Sequence, residues 1–198
     1  MPKIFTEKEK ETLRKELLET GFHALKQQGL AKLRIEDIAR ECYIAKGTFY
    51  SFFESKSEFL YQISLYERQC AKDMLRSYLN SQGKLTADGL YHYLCWLYRE
   101  NPNIFAYMTE TEKKRLMQEW PPEYLENEAN DESTMMMLIG LLEAPREHPD
   151  WKCACNLMKM AAASLTVHEM FIEEAFEDTL HCLLRNVIQC ITDQEFSW

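Results

Sequence analysis

Apolar positions recur at helical spacing along most of the chain. Leu13, Leu17, Leu18, Phe22 and Leu25 lie three and four residues apart, on one face of a helix. The spacing predicts a helix over about residues 6–28, stopped by Gly29. A second, short helix over 35–41 turns Ile35, Ile38 and Ala39 inward. A third, over 46–52, follows after only four residues, Cys42 to Ala45. Two short helices joined this tightly read as a helix-turn-helix. Ser55 and Glu58 have the spacing of a capping box. They open a long helix on Phe59, Ile63, Tyr66, Cys70, Met74 and Tyr78, expected to end near 81–83. Further helices are expected over 86–100, over a short turn at 103–108, and from Thr109 to about Trp120. Pro122 starts the next, which carries Met135 to Leu142 on its buried part. A helix from Pro149 to about Ile172 and a last one over 177–192 complete an all-helical chain.

Composition narrows the class. With 198 residues, 46% of them apolar, the chain can bury a sizeable core. The net charge of −9 argues against a protein that coats nucleic acid with its whole surface. The charge is uneven, however. Residues 1–60 hold 11 Lys and Arg against 10 Asp and Glu, whereas residues 61–198 hold 12 against 22. The two parts therefore face different partners.

The charged opening lacks an apolar signal core and no run spans a bilayer, so a cytoplasmic protein without membrane contact is expected. Seven scattered Cys fit reduced thiols better than a disulfide framework. Cys153 and Cys155 near His148 lack the spacing and second pair of a zinc ribbon, and no metal or cofactor is expected. No nucleophile–base set and no phosphate-cradling loop stands out, so enzyme activity is not expected.

The stretch KGTFYSFFESK, residues 46–56, carries the sharpest functional reading. With the preceding helix, Ile35 to Phe59 resembles the DNA-binding domain of TetR-type transcriptional regulators. The resemblance rests on Asp37, Ile38, Ala39, Gly47, Thr48, Phe49, Tyr50, Phe53, Lys56 and Phe59, and covers about a quarter of the chain. It implies an N-terminal three-helix DNA-binding domain over 1–55. A larger helical ligand-binding and dimerisation domain would follow over 56–198. It also implies a homodimeric, ligand-responsive repressor on a palindromic double-stranded operator.

The residues agree with that reading. Lys46, Gly47 and Thr48 form the end of a recognition helix that could enter the major groove. Thr48 offers a hydroxyl and a methyl to a base edge. Tyr50 and Lys56 would contact phosphates, and Phe49, Phe52 and Phe53 would anchor the helix. The family pattern has Gly in the turn and hydroxyl residues as caps, where this chain has Tyr43, Ala45 and Arg34. Arg34 and Tyr43 are expected to supply replacement contacts. A fold that has become a protein-binding adaptor, or a helical enzyme, would be the alternatives.

In the second part, Tyr66, Tyr93, Trp96, Phe105 and Met137 are candidates for an apolar effector pocket. The acidic surroundings favour a neutral or cationic effector there. For dimerisation, Leu180, Leu184, Val187 and Ile191 form one stripe. With Met158, Ala161, Ala162 and Leu165 of the preceding helix they would make a four-helix bundle with a second copy.

Overall fold

The computed structural model describes residues 6–100, 103–121 and 127–193, with the side chains of 127–130 left aside. The expectation for Pro122 falls outside these residues. Nine α-helices are found among them: α1 Glu7–Lys32, α2 Ile35–Glu41, α3 Lys46–Phe49, α4 Lys56–Ser77, α5 Ala87–Arg99, α6 Glu110–Glu119, α7 Asn127–Leu141, α8 Trp151–Thr166 and α9 Glu173–Ile191. Short 3-10 turns cover Ile104–Tyr107 and His168–Met170. Among the described residues no strand forms; only two isolated bridges occur, Leu85 with Leu142 and Pro145 with Thr192.

Five helix starts follow from side chains that replace missing backbone partners. Thr6 and Glu9 form a reciprocal capping box at α1, and Thr109 and Glu112 do so at α6. Thr86 caps α5 and Asp150 caps α8. At α4 the Glu58 amide donates to Ser55 Oγ at 3.0 Å, while the Glu58 carboxylate turns to the Glu54 amide.

Several expected boundaries move. Gly29, at φ 71° and ψ 171°, breaks α1, yet one more turn follows to Lys32. α3 ends at Phe49 rather than 52, because residues 50–52 continue as turns. α4 stops at Ser77, before the expected 81–83. The helix expected to reach Ile172 stops at Thr166, where Val167 leaves helical conformation at φ −132°. α9 begins at Glu173 instead of 177.

By its contacts the chain divides into two compact units, Met1–Gln69 with Tyr107–Pro121, and Cys70–Ala106 with Pro122–Trp198. The division expected after residue 55 falls inside the first of these.

In the first unit the core is aromatic. Phe49, Phe53 and Phe59 are buried, with centroid separations of 4.8–5.2 Å. Such tilted and edge-on pairs add to the burial of apolar area. Gly21 of α1 faces this cluster: a Cβ there would lie 2.3 Å from Phe59 Cζ. The close approach of α1 to α4 thus requires glycine.

In the second unit α9 packs on α5 and α8, and α7 on α8. Leu90, Leu94, Met135, Leu138, Leu184 and Ile188 share its core. The Tyr98 hydroxyl donates to the Met158 carbonyl at 2.8 Å. Backbone bonds from Arg146 to Ile191 and from Asp150 to Cys190 hold the loop before α8 to the end of α9.

Candidate nucleic-acid interface

The helix-turn-helix is built from α2, the turn and α3. Ile35, Ile38 and Ala39 are buried on α2 and Phe49 on α3. Four helical residues are held by one fully buried ring, so the remaining positions of α3 are free to face outward. Lys46, Gly47 and Tyr50 are exposed and Thr48 half-buried. A Cβ added at Gly47 would meet nothing within 4 Å, so the backbone there is open to close approach by a ligand. Tyr50 stands edge-on to Phe49 at 5.4 Å and is 42% exposed.

Lys46 is not a bare cation. Its ammonium donates to Glu36 Oε1 of α2 at 2.5 Å and lies 6.0 Å from the centroid of the Tyr50 ring. That hydrogen bond is the first cause holding the Glu36 carboxyl below its usual range and raising the Lys46 ammonium above its own. Glu36 was not singled out by its sequence context. A carboxylate ten residues from a lysine has no periodic signature, and the turn alone brings the two together.

Tyr43 carries the backbone anomaly of the site. It sits at φ 56°, in the left-handed region, and its side chain is 94% exposed. Its amide donates to the Arg40 carbonyl at 3.1 Å, and the Ile44 amide donates to Ala39 at 2.9 Å, which fixes the turn. A non-glycine residue pays strain in this conformation. Arg34 and Ala45 occupy the N-cap positions of α2 and α3, and neither makes a side-chain cap bond. Arg34 is exposed.

Lys56 is placed differently from the phosphate contact expected of it. Its ammonium donates to the Leu33 carbonyl at 2.7 Å and to the Leu30 carbonyl at 3.5 Å. It thereby serves the orphan carbonyls at the end of α1. Burial pulls its ammonium below the usual lysine range, with Arg115 acting in the same direction and Glu112 opposing.

The aromatic candidates of the second part are divided between the two units. Tyr93 is buried and stacks on half-buried Trp96 at 6.3 Å. Tyr66 belongs to the first unit, where its hydroxyl donates to Glu19 of α1 at 2.9 Å. Phe105 lies in a 3-10 turn and Met137 is 43% exposed. The leucine stripe of α9 is turned inward. Leu180, Leu184, Val187 and Ile191 are at most 3% exposed within the single chain, and Ala161 is fully buried. They fill the core of the single chain. Met158 and Leu165 are half-buried and Ala162 is exposed.

These features define an all-helical protein with a helix-turn-helix domain whose outward helix is available for contact. Residues 17–63 match the family model described as bacterial regulatory proteins, tetR family. An HTH-type transcriptional regulator of Bacillus subtilis, YuxN, is 42% identical over 53 residues. That match spans 27% of this chain and 17% of the length of YuxN.

Solved structures align over nearly the whole chain. A TetR-family protein of Vibrio parahaemolyticus superposes with a TM-score of 0.57 at 16% identity, covering 92% of this chain and all of that one. A TetR-family transcriptional regulator of Haemophilus influenzae gives 0.54 at 16% identity, covering 93% and 98%. At such identity the likeness is one of fold. Residues 17–63 form a TetR-type DNA-binding domain, and the chain as a whole has the fold of TetR-family regulators. No helix among the described residues is long and apolar enough to cross a membrane.

Proposed function

We propose that the protein is a ligand-responsive transcriptional repressor that binds a palindromic operator as a homodimer. The observation that carries the reading is the outward face of the helix-turn-helix. Gly47 stands open and Thr48 half-buried in a short helix anchored by Phe49, and Tyr43 and Tyr50 are exposed. Gly47 allows close backbone approach, Thr48 meets base edges, and Lys46, Tyr50, Tyr43 and Arg34 meet the backbone of the duplex.

Two such helices about one DNA turn apart need a dimer. The surface offered for it lies on α8 and the segment after it. Met160, Val167, Met170, Phe171 and Ile172 are exposed there at 37–78%, beside exposed Ala162 and Ala163. Small residues let a second helix come close, and a second copy covers the large apolar ones. An effector bound in the second unit shifts the equilibrium only through differential affinity for its two states.

Electrophoretic shifts with promoter fragments from the protein's own locus test the reading. A specific, salt-sensitive complex is expected. Met160→Glu should lower the sedimentation coefficient to that of a monomer and abolish the complex. A chain that shifts no fragment of its own locus at low salt refutes it.

A further inference from the structure

The start of α8 and the end of α9 are stitched together. The Asp150 amide donates to the Cys190 carbonyl at 2.9 Å, and the Arg146 amide to the Ile191 carbonyl at 3.0 Å. Thr192 Oγ1 donates to the Ala144 carbonyl at 2.6 Å. Asp150 is also the N-cap of α8, where its Oδ1 accepts from the Cys153 amide at 3.0 Å. One residue therefore holds the backbones of two cysteines, Cys153 in the first turn of α8 and Cys190 in the last turn of α9.

Their thiols meet across that junction. The Cys190 thiol and the Cys153 thiol share a hydrogen bond, and neither cysteine is in a disulfide. Each is followed by a fully buried residue, Ala154 and Ile191, so both sulfurs stand on packed helices rather than on a loop. They differ in access. Cys153 is exposed and Cys190 half-buried. Burial, then the Cys153 neighbour, then Asp150 hold the Cys190 thiol above its usual range, with Arg146 opposing. An oxidant arriving from solvent thus meets Cys153 first, with a protonated thiol waiting beside it.

We propose that Cys153 and Cys190 form a peroxide-sensitive site, whose oxidation joins α8 to α9 by an intramolecular disulfide. The Cys153 thiolate attacks one oxygen of hydrogen peroxide. The O–O bond breaks, and the other oxygen leaves with the electron pair and takes up the proton that the thiol had released, giving water. Cys153 is then a sulfenic acid. The Cys190 sulfur attacks the Cys153 sulfur, the S–O bond breaks, and the departing hydroxide takes the Cys190 proton as a second water. One peroxide is reduced by two electrons and two thiols are oxidised. Both cysteines belong to the second unit. The test needs no DNA, so it succeeds or fails independently of the repressor reading.

The full, reduced chain is treated with a stoichiometric amount of hydrogen peroxide. Remaining thiols are blocked with iodoacetamide, and the chain is digested and read by mass spectrometry without reduction. The free thiols should fall by two from seven, and a peptide pair linked through Cys153 and Cys190 should account for the loss. Cys182, also exposed on α9, should stay alkylated, since exposure alone supplies no resolving thiol. Cys190→Ser should leave a Cys153 sulfenic acid that dimedone traps. Cys153→Ser should slow the loss of thiols at least about fivefold. A bond that links two chains overturns the proposal, as does Cys182 oxidised as fast as Cys153. So does a Cys153→Ser chain that loses thiols as fast as the parent, or a parent chain that keeps all its thiols free.

Discussion

Replacing Tyr43 by glycine separates folding from function at the one described non-glycine residue with positive φ. The side chain is 94% exposed, so its removal forfeits almost no buried area. The left-handed conformation costs an L-residue about 1–2 kcal/mol, a cost glycine does not carry. Glycine in turn gives the unfolded chain more freedom, worth about 0.4–1 kcal/mol against folding. The difference leaves Tyr43→Gly more stable by roughly 0.5–1 kcal/mol. For a chain of this size that raises the melting temperature by about 1–4 °C.

If the exposed phenol instead meets a sugar or phosphate of the operator, the same change weakens binding. A single neutral contact of about 1 kcal/mol corresponds to roughly fivefold in Kd. Thermal unfolding and electrophoretic or fluorescence titration of a mapped operator give the two numbers. Higher stability with weaker binding is expected, and Tyr43→Phe should keep the strain while losing only the hydroxyl's share of affinity. A glycine variant that melts no higher refutes the strain argument. One that melts higher yet binds the operator as well as the parent refutes the contact.

Other expectations follow from neighbouring residues. Gly47→Ala places a methyl in open space, so stability should hold or rise by at most about 1 kcal/mol while operator affinity falls; unchanged affinity would show that the backbone there does not approach the duplex. Glu36→Gln frees Lys46 from its carboxylate, so binding should tighten and the slope of log K against log salt should steepen by about 1, as measured by a salt titration of both proteins. Tyr107 has its phenol pushed up to about 12, first by burial and then by Glu67. The neutral form is thus favoured in the fold, and the stability it brings is complete below about pH 10 and lost as pH rises from 10 to 12. Denaturant unfolding between those values should show the loss, and Tyr107→Phe should flatten it.

What the sequence makes legible is set by the range of the interaction. α2 falls at the expected residues because its apolar face and its turn are both local. The cap of α4 is legible for the same reason, since Ser55 Oγ and the Glu58 amide that donates to it lie three residues apart. Lys56 shows where locality ends. Its position matches the family pattern, but its nearest acceptors are carbonyls 23 and 26 residues back. No spacing rule brings those to it; the break at Gly29 and the extra turn to Lys32 do. The partner of the Tyr66 hydroxyl is out of reach of any spacing rule in the same way, since Glu19 lies 47 residues away on another helix.

The stripe on α9 shows a different limit. A period identifies which residues share a face, and Leu180, Leu184, Val187 and Ile191 do share one. It carries no information on whether the covering surface comes from the same chain or a second copy. Here α5 and α8 of the same chain supply it. A charge at Val187 would therefore be buried unpaired in the protomer and act on folding first. The residues that test assembly are those the period left on the outside, Met160 and Val167 among them, where a charge costs the single chain little and a dimer a great deal.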